Sequence, residues 1–326
     1  MTIKVPLSEF LHHPHLLPLV RTSSLFEGTG LLPFRGGTKL KTWAFVWLAA
    51  ALFSTQTAFS HTDVEQQILD ASKEIERSPA DAKLYVRRGE LFRVNGRWEA
   101  AIADLNKAEK LDPTIENIKY FKGKTYLESG KPEAALPHLE AFLQNQPKNP
   151  DGLRLRARAL VKLGRVLEAA ESFTRAIQSI NEMQGAPQPD DYLERARALA
   201  TAGDEHLPKA IQGLDEGIAR LGNVAILQLE AMRYEIKRAS YDAALQRLDL
   251  IAAQSRRKDP WLARRADILL QAGRNADALD TYIQTLEAIQ SLPASRRATK
   301  ASAELEAHVR ASIEKLKSER GTDAHQ

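Results

Sequence analysis

Residues 85–105 read YVRRGELFRVNGRWEAAIADL, and Pro113 closes the segment that follows. Large and small residues recur here at helical spacing, stop near Gly96 and resume beyond it, which predicts two short helices joined by a turn. Gly89 and Ala101 are predicted to lie where the helices approach most closely, because a larger side chain at either place would push them apart. The stretch therefore predicts a helical hairpin.

The same order of residue sizes returns about every 34 residues, which predicts a tandem array of hairpins. An alanine in the predicted second helix marks each copy: Ala101, Ala135, Ala169, Ala210, Ala244 and Ala278. The copies are taken to begin at Ala82, Glu116, Pro150, Pro189, Ala225 and Asp259. No segment alternates apolar and polar residues in the manner of a strand.

Over residues 82–290 this pattern resembles the tetratricopeptide repeat (TPR) family. The resemblance implies an all-α fold, an α-solenoid in which about six TPR helical hairpins stack into a right-handed superhelix. It also implies a protein or peptide partner, held on the concave side. In this family that side is lined by the first helix of each hairpin.

The two flanks of the array are predicted to be helical caps, because a terminal repeat needs a cover with a polar outer side. Residues 61–80 are predicted to form a single N-terminal half-repeat helix, with Val64, Ile68, Leu69 and Ile75 on its apolar side. Residues 291–320 are predicted to form a long, charged C-terminal capping helix. Residues 321–326 are expected to be a disordered tail.

The N-terminal region has the pattern of an export signal. Lys39 and Lys41 precede an apolar run at residues 43–53, and small residues at Ala58 and Ser60 are typical of a signal peptidase site. The run is shorter than the roughly 20 apolar residues that span a bilayer, so a retained membrane anchor is the less favoured alternative. We expect a signal peptide over residues 40–60, cleaved between Ser60 and His61, and a periplasmic or secreted protein without a stable membrane span.

Residues 1–39 fit poorly in front of this signal, because a signal sequence normally begins close to its basic segment. Translation from Leu40, read as Met from an alternative start codon, would account for the mismatch. The histidines of this leader, His12, His13 and His15, have no carboxylate or cysteine at ligand spacing, so no metal site is expected there.

Composition excludes some classes of partner. Of the formal net charge of +4, residues 1–60 carry +3, from five basic and two acidic residues, so the remainder carries only +1. A folded domain with so little excess positive charge gives no support for nucleic-acid binding. The chain has no cysteine, so it forms no disulfide and offers no cysteine for a lipid anchor.

A row of cations is predicted on the concave side. The ninth residues of the copies are Glu90, Lys124, Arg158, Arg197, Arg233 and Asp267, so four consecutive copies place a cation there. Arg154 lies close to the row, and Tyr120 and Phe121 could add an apolar pocket. Arginine suits the capture of carboxylate or phosphate, so the row is expected to grip an acidic segment. The alternative is that Asp190, Glu194 and Glu230 neutralise the row as ordinary ion pairs.

The favoured function is a non-catalytic scaffold or adaptor that captures a segment of a protein partner in the concave groove. An architectural component of cell-envelope assembly or polymer export is the alternative. An enzyme is not expected, because the sequence contains no nucleophile beside a histidine, no metal-ligand cluster and no phosphate-binding glycine loop. No catalytic residue, cofactor or metal is therefore predicted.

Overall fold

The structure is a computed structural model that describes residues 63–323. In this range every regular element is helical and no strand occurs, so the predicted all-α fold is confirmed. The helices are α1 (63–77), α2 (Ala82–Val94), α3 (Trp98–Leu111), α4 (Asn117–Glu128), α5 (Pro132–Asn145), α6 (Pro150–Lys162), α7 (Val166–Glu182), α8 (Pro189–Ala202), α9 (Leu207–Leu221), α10 (Ala225–Lys237), α11 (Tyr241–Ala253), α12 (Asp259–Gln271), α13 (Asn275–Gln290), α14 (Ala294–Arg297) and α15 (Lys300–Asp323). The predicted leader and signal peptide lie outside this range.

Consecutive helices pack as hairpins, which makes the fold an α-solenoid. The pairs in contact are α2 with α3, α4 with α5, α6 with α7, α8 with α9, and α12 with α13. The handedness of a superhelix stays a prediction. Each hairpin buries the alanine that marks its second helix, and Ala101, Ala135 and Ala169 are fully buried.

A left-handed glycine ends the first helix of several hairpins. Gly96 has a φ of +73°, and the amide of Arg97 donates to the carbonyl of Phe92 at 2.8 Å. This hydrogen bond satisfies one of the carbonyls that the end of a helix leaves without a partner. Gly130, with a φ of +77°, makes the same turn in the next hairpin.

The predicted close approach of paired helices is confirmed at Gly89. A Cβ atom added there would lie 3.3 Å from both the carbonyl oxygen of Ala101 and Cγ of Leu105. The contact is tighter in the next hairpin, where a Cβ at Gly123 would lie 2.6 Å from Cγ of Leu139. Close packing thus explains why a small residue recurs at this position of the repeat.

The described residues divide into two compact units, 63–238 and 239–323. The division lies between α10 and α11, inside the predicted fifth copy, at Ala239, whose φ is +58°. The first unit contains α1 to α10, and its largest apolar cluster includes Phe173, Tyr192 and Tyr234. The second unit contains α11 to α15.

Helix α1 buries a narrower stripe than the sequence predicts. Ile68, Ala71 and Ile75 are buried, whereas Leu69 is 55% exposed. Residues 68, 71 and 75 follow the helical three- and four-residue spacing, and Leu69 lies about 100° around the helix from Ile68. The prediction that Leu69 belongs to the apolar side is therefore wrong.

The C-terminal segment also differs from the predicted single helix. A short helix, α14, precedes α15, which begins at Lys300 and continues to Asp323, past the predicted end at residue 320. The break follows from a capping contact, in which the hydroxyl of Thr299 accepts a hydrogen bond from the amide of Ser302 at 3.3 Å. Helix α15 packs on α12 and α13 and buries Val309, Ile313 and Leu316. None of the described helices is both long and apolar enough to cross a membrane.

Candidate partner-binding face

The predicted cations lie on the first helices of four successive hairpins in the unit of residues 63–238. Lys124 is on α4, Arg154 and Arg158 are on α6, Arg197 is on α8 and Arg233 is on α10. We call the surface formed by α2, α4, α6, α8 and α10 the first-helix face. Side-chain contacts join these helices to one another across it.

The arginines of α6 bind carboxylates of α8. Arg154 makes a bidentate contact with Asp191, at 2.6 Å from Nε and 2.8 Å from Nη2, and also donates to Asp151 at 2.9 Å. Arg158 donates to Glu194, with its shortest contact at 2.8 Å. These charge-assisted hydrogen bonds raise the pKa of both guanidinium groups, which therefore stay protonated.

Between α8 and α10, a single carboxylate pairs with two arginines. Glu230 on α10 accepts from Nε of Arg197 at 3.2 Å and from Nη2 of Arg233 at 2.6 Å, and the hydroxyl of Tyr234 donates to it at 2.8 Å. Burial opposes ionisation of Glu230, but the hydrogen bonds from Arg233 and Tyr234 lower its pKa overall. This carboxylate is therefore a charged hub between α8 and α10.

The structure thus brings the arginines together, but as an ion-pair ladder between neighbouring helices. This arrangement is the alternative raised from the sequence, with one change among the acids. Asp191, which is buried, takes the place predicted for Asp190, which is exposed. A guanidinium that already pairs with a carboxylate of the chain attracts a partner's carboxylate less strongly than the sequence predicts.

The ladder is interrupted between α4 and α6. Arg93 of α2 pairs with Glu128 of α4 at 2.6 Å, and the rungs described above join α6 to α8 and α8 to α10. In the part of the chain that the structure describes, no ion pair joins α4 to α6, and no carboxylate lies within ion-pair distance of Lys124. We call this interval, with Tyr120 and Lys124 of α4 at its edge, the open rung.

Tyr120 is the aromatic residue of the open rung. Its half-buried ring packs against Phe142 and Phe121, with centroid distances of 5.2 and 5.5 Å. Its hydroxyl makes no hydrogen bond to any described residue. Burial, together with the negative charges of Asp151 and Glu90, raises the pKa of Tyr120, so the hydroxyl stays protonated and can donate.

Phe121 is partly buried, as Tyr120 is. It packs on the apolar cluster of α1 to α4 that contains Ile75, Tyr85 and Leu105. Its part in an apolar pocket stays a prediction.

A second set of cations was missed by the sequence argument. It occupies the seventh position of five copies: Arg88, Lys122, Arg156, Arg195 and Arg265. Each pairs with an acid on a second helix, as Arg88 does with Asp104 at 2.7 Å and Arg195 with Glu216 at 2.7 Å. Counting the copies in register would have revealed this set, and the pairing identifies it as part of hairpin packing.

Titratable clusters away from the first-helix face are small. In the unit of residues 239–323, Nε2 of His308 lies 2.9 Å from Asp267, which also accepts from the hydroxyl of Tyr282 at 2.6 Å. Residues 63–323 contain no group of three or more acidic or histidine side chains able to hold a metal ion.

Stacked hairpins whose first helices share one face define the class of the protein as an α-solenoid. Residues 66–114 and 121–184 match the model of the tetratricopeptide repeat family. The chain therefore contains tetratricopeptide repeats, and proteins built of these repeats are in general non-catalytic interaction scaffolds.

Solved structures of TPR proteins resemble this chain. The C-terminal part of a TPR repeat-containing protein from Cytophaga hutchinsonii has a TM-score of 0.58 at 13% identity, covering 77% of this chain and 97% of that one, and so shows the shared fold. YrrB, described as a TPR protein with an unusual peptide-binding site, has a TM-score of 0.48 at 21% identity, covering 60% of this chain and 97% of its own.

A curated relative matches a shorter region. The TPR and J domain-containing co-chaperone DNJ1 of Fusarium oxysporum is 34% identical over 122 residues, covering 35% of this chain. This chain spans only 22% of the length of that co-chaperone.

Proposed function

We propose that this protein is a non-catalytic scaffold that binds an extended segment of a protein partner along the first-helix face, with a carboxylate of the partner at Lys124. The observation that carries the proposal is the open rung. Lys124 is the one cation of the predicted row that makes no ion pair within residues 63–323. A partner carboxylate would complete the missing rung of the ladder.

The paired arginines support binding in a different way. A partner carboxylate that displaced Glu194 from Arg158 would exchange one ion pair for another and gain little. Left in place, the ladder holds the arginine side chains in one conformation, so binding need not immobilise them. The paired arginines then form a pre-ordered polar surface. Lys124 supplies a positive charge that is in no ion pair within residues 63–323.

Tyr120 adds a directional contact beside that charge. Tyr120 and Lys124 are four residues apart on α4 and therefore lie on the same side of the helix. The half-buried ring offers an apolar surface and the hydroxyl a free donor. Together they suit an acidic residue followed or preceded by an apolar one in the bound segment.

Charge reversal at Lys124 tests the proposal. The full chain with p-benzoylphenylalanine in place of Tyr120 would first be cross-linked in cells, and the attached peptide identified by mass spectrometry. Affinity for a synthetic copy of that peptide would then be measured by fluorescence anisotropy. We expect Lys124→Glu to lower the affinity at least about tenfold, because it replaces an attraction with a repulsion.

Lys107→Glu is the matched control, because Lys107 is exposed on α3 and makes no ion pair among the described residues. Its affinity should equal that of the wild type. If Lys124→Glu binds the peptide as tightly as Lys107→Glu does, the open rung is not the binding site. Arg158→Glu is a poorer test, since it would place two carboxylates together and disturb the ladder itself.

The compartment is part of the proposal. We propose that the protein is exported and acts in the periplasm or outside the cell, on the basis of the basic residues, the apolar run and the small residues of segment 39–60.

A further inference from the structure

Helix α2 has one edge that no other first helix covers. In later hairpins the third, sixth and thirteenth residues of the first helix contact the preceding first helix, as Asp191, Glu194 and Glu128 do. The tenth residue lies on the same side, one turn after the sixth. In α2 these four positions form a surface that we call the N-terminal edge: Leu84, Arg87, Leu91 and Val94.

The N-terminal edge is largely apolar and incompletely covered. Val94 is 59% exposed, and Leu84 and Leu91 are partly buried. Arg87 is exposed, but its guanidinium pairs with Glu74 of α1 at 3.0 Å, so the edge carries little net charge. Within residues 63–323 no first helix precedes α2. The surface that later hairpins bury between first helices is therefore open here.

Helix α1 stands where the second helix of a preceding hairpin would stand. It ends two residues before Pro79, just as α3 ends two residues before Pro113. Ala101 of α3 is fully buried where α3 meets α2, but the corresponding residue of α1 is Gln67, which is exposed. A glutamine is too large for the close approach that paired helices make at this position. A further first helix of the repeat type therefore does not fit on α1.

The mature chain offers no segment of its own to cover the edge. With cleavage before His61, only His61 and Thr62 precede α1. The last hairpin, in the unit of residues 239–323, is already covered, because α15 packs on α12 and α13. A second copy stacked head to tail would need that covered surface, so the same edge of a second copy is the occupant that remains.

The edge is also complementary to itself. Its residues are spaced by three, four and three positions, and this order reads the same in both directions. A two-fold axis brings one surface patch against its own copy, so residue i meets j and j meets i. Two antiparallel α2 helices would place Leu84 against the partner's Val94. The alkyl stem of Arg87 would lie on the partner's Leu91 while its charged end stays with Glu74.

From these features we infer that the mature protein forms a two-fold symmetric dimer through the N-terminal edge of α2. The inference rests on the export proposed above, because cleavage leaves no chain upstream of α1. The dimer uses the edge of the array, so the open rung on α4 is not needed to form it.

Analytical ultracentrifugation of the chain that begins at His61 tests the inference. We expect a dimer at concentrations up to about 100 μM, a range that populates weak interfaces. Val94→Glu should weaken it at least about tenfold, because it would bury a carboxylate at both ends of the contact. Val161→Glu is the matched control, since Val161 is 42% exposed on α6, and it should dimerise as the wild type does. Circular dichroism checks that both variants fold.

Cross-linking tests the antiparallel pairing, and the absence of cysteine from the chain makes it specific. A chain carrying both Leu84→Cys and Val94→Cys should form interchain disulfides on mild oxidation. Val94→Cys alone should not, because the two copies of residue 94 would lie about 15 Å apart along the paired helices. The same distance prevents a disulfide within one α2 helix.

The inference is overturned if the chain that begins at His61 is a monomer throughout this range, or if Val94→Glu dimerises as tightly as Val161→Glu. It is also overturned if the double cysteine variant gives no more cross-linked dimer than Val94→Cys alone. These measurements use a chain that already starts at His61, so a monomer would contradict the dimer without contradicting export. A native chain that retains residues 40–60 would contradict export, and the N-terminal sequence of the native protein detects it separately.

Discussion

The ion pairs between α8 and α10 depend on Glu230, because among the described residues it alone pairs with both Arg197 and Arg233. Glu230→Gln keeps the shape of the side chain but removes the charge that holds these two cations near each other. The arginine side chains are 55% and 42% exposed, so solvent screens much of the repulsion. We expect the free energy of unfolding to fall by about 1 kcal/mol in urea denaturation.

The pH dependence of this effect has a definite sign. The pKa of Glu230 is lowered in the folded chain, so its contribution is present above the ordinary glutamate pKa of about 4.3 and is lost as the pH falls through the folded value. Glu230→Gln should therefore lose less stability on acidification than the wild type. Glu133→Gln, at an exposed and unpaired position of α5, should behave as the wild type does.

Gly123 tests the close approach of α4 and α5. Gly123→Val would place carbon within 3 Å of Leu139, and such overpacking typically costs about 1–3 kcal/mol. We expect a lower thermal midpoint. Ala103→Val adds a similar bulk at an exposed position of α3 and should cost only the helix propensity, about 0.5 kcal/mol. Equal losses in the two variants would contradict the packing argument.

At the scale of the element, α15 packs on α12 and α13 through an apolar seam, and the contact of His308 with Asp267 adds a titratable group. The hydrogen bond from His308 to Asp267 raises the pKa of the histidine against the effect of its burial. A raised pKa means that the contribution is fully present below the ordinary histidine value of about 6.5 and is lost as the pH rises through the folded value. The packing of α15 on α12 and α13 should therefore weaken as the pH rises from 6 to 8.

Hydrogen exchange of α15, corrected for the intrinsic rate at each pH, measures this effect. Because the side chain of His308 is 36% exposed, we expect the change to stay below about 1 kcal/mol. His308→Gln cannot gain the charge and should abolish the dependence. A slope that survives in His308→Gln would assign the effect to another group.

The starting residues of most first helices were readable from the sequence. Helices α2, α6, α8, α10 and α12 begin at the residues taken as repeat starts, because a proline or a capping residue marks several of these positions. The split of the C-terminal segment was not readable, since it depends on the Thr299 side chain turning back to cap α15. Propensity alone does not separate that cap from a continuous helix.

At the scale of the whole molecule, the repeat period predicted which side of the array carries the cations. It did not predict which acid each cation would pair with. Arg158 and Glu194 lie 36 residues apart, and whether they meet depends on how far each hairpin rotates against the next. The same rotation selects Asp191 over Asp190 and leaves Lys124 without a carboxylate neighbour in the described range. The open rung therefore depends on how the hairpins stack, and the repeat pattern does not specify that stacking.

Export is the prediction that concerns the whole chain, and its measurement is the N-terminus of the protein made by its natural host. Small residues at Ala58 and Ser60 after an apolar run favour cleavage before His61, so Edman sequencing or intact mass should find a mature chain that begins at His61. Ser60→Arg should block this step and leave a longer chain in the membrane fraction, while Ser54→Arg tests whether any added charge does the same. A native protein that retains residues 40–60 would contradict cleavage, and one that is also found in the cytoplasm would contradict export.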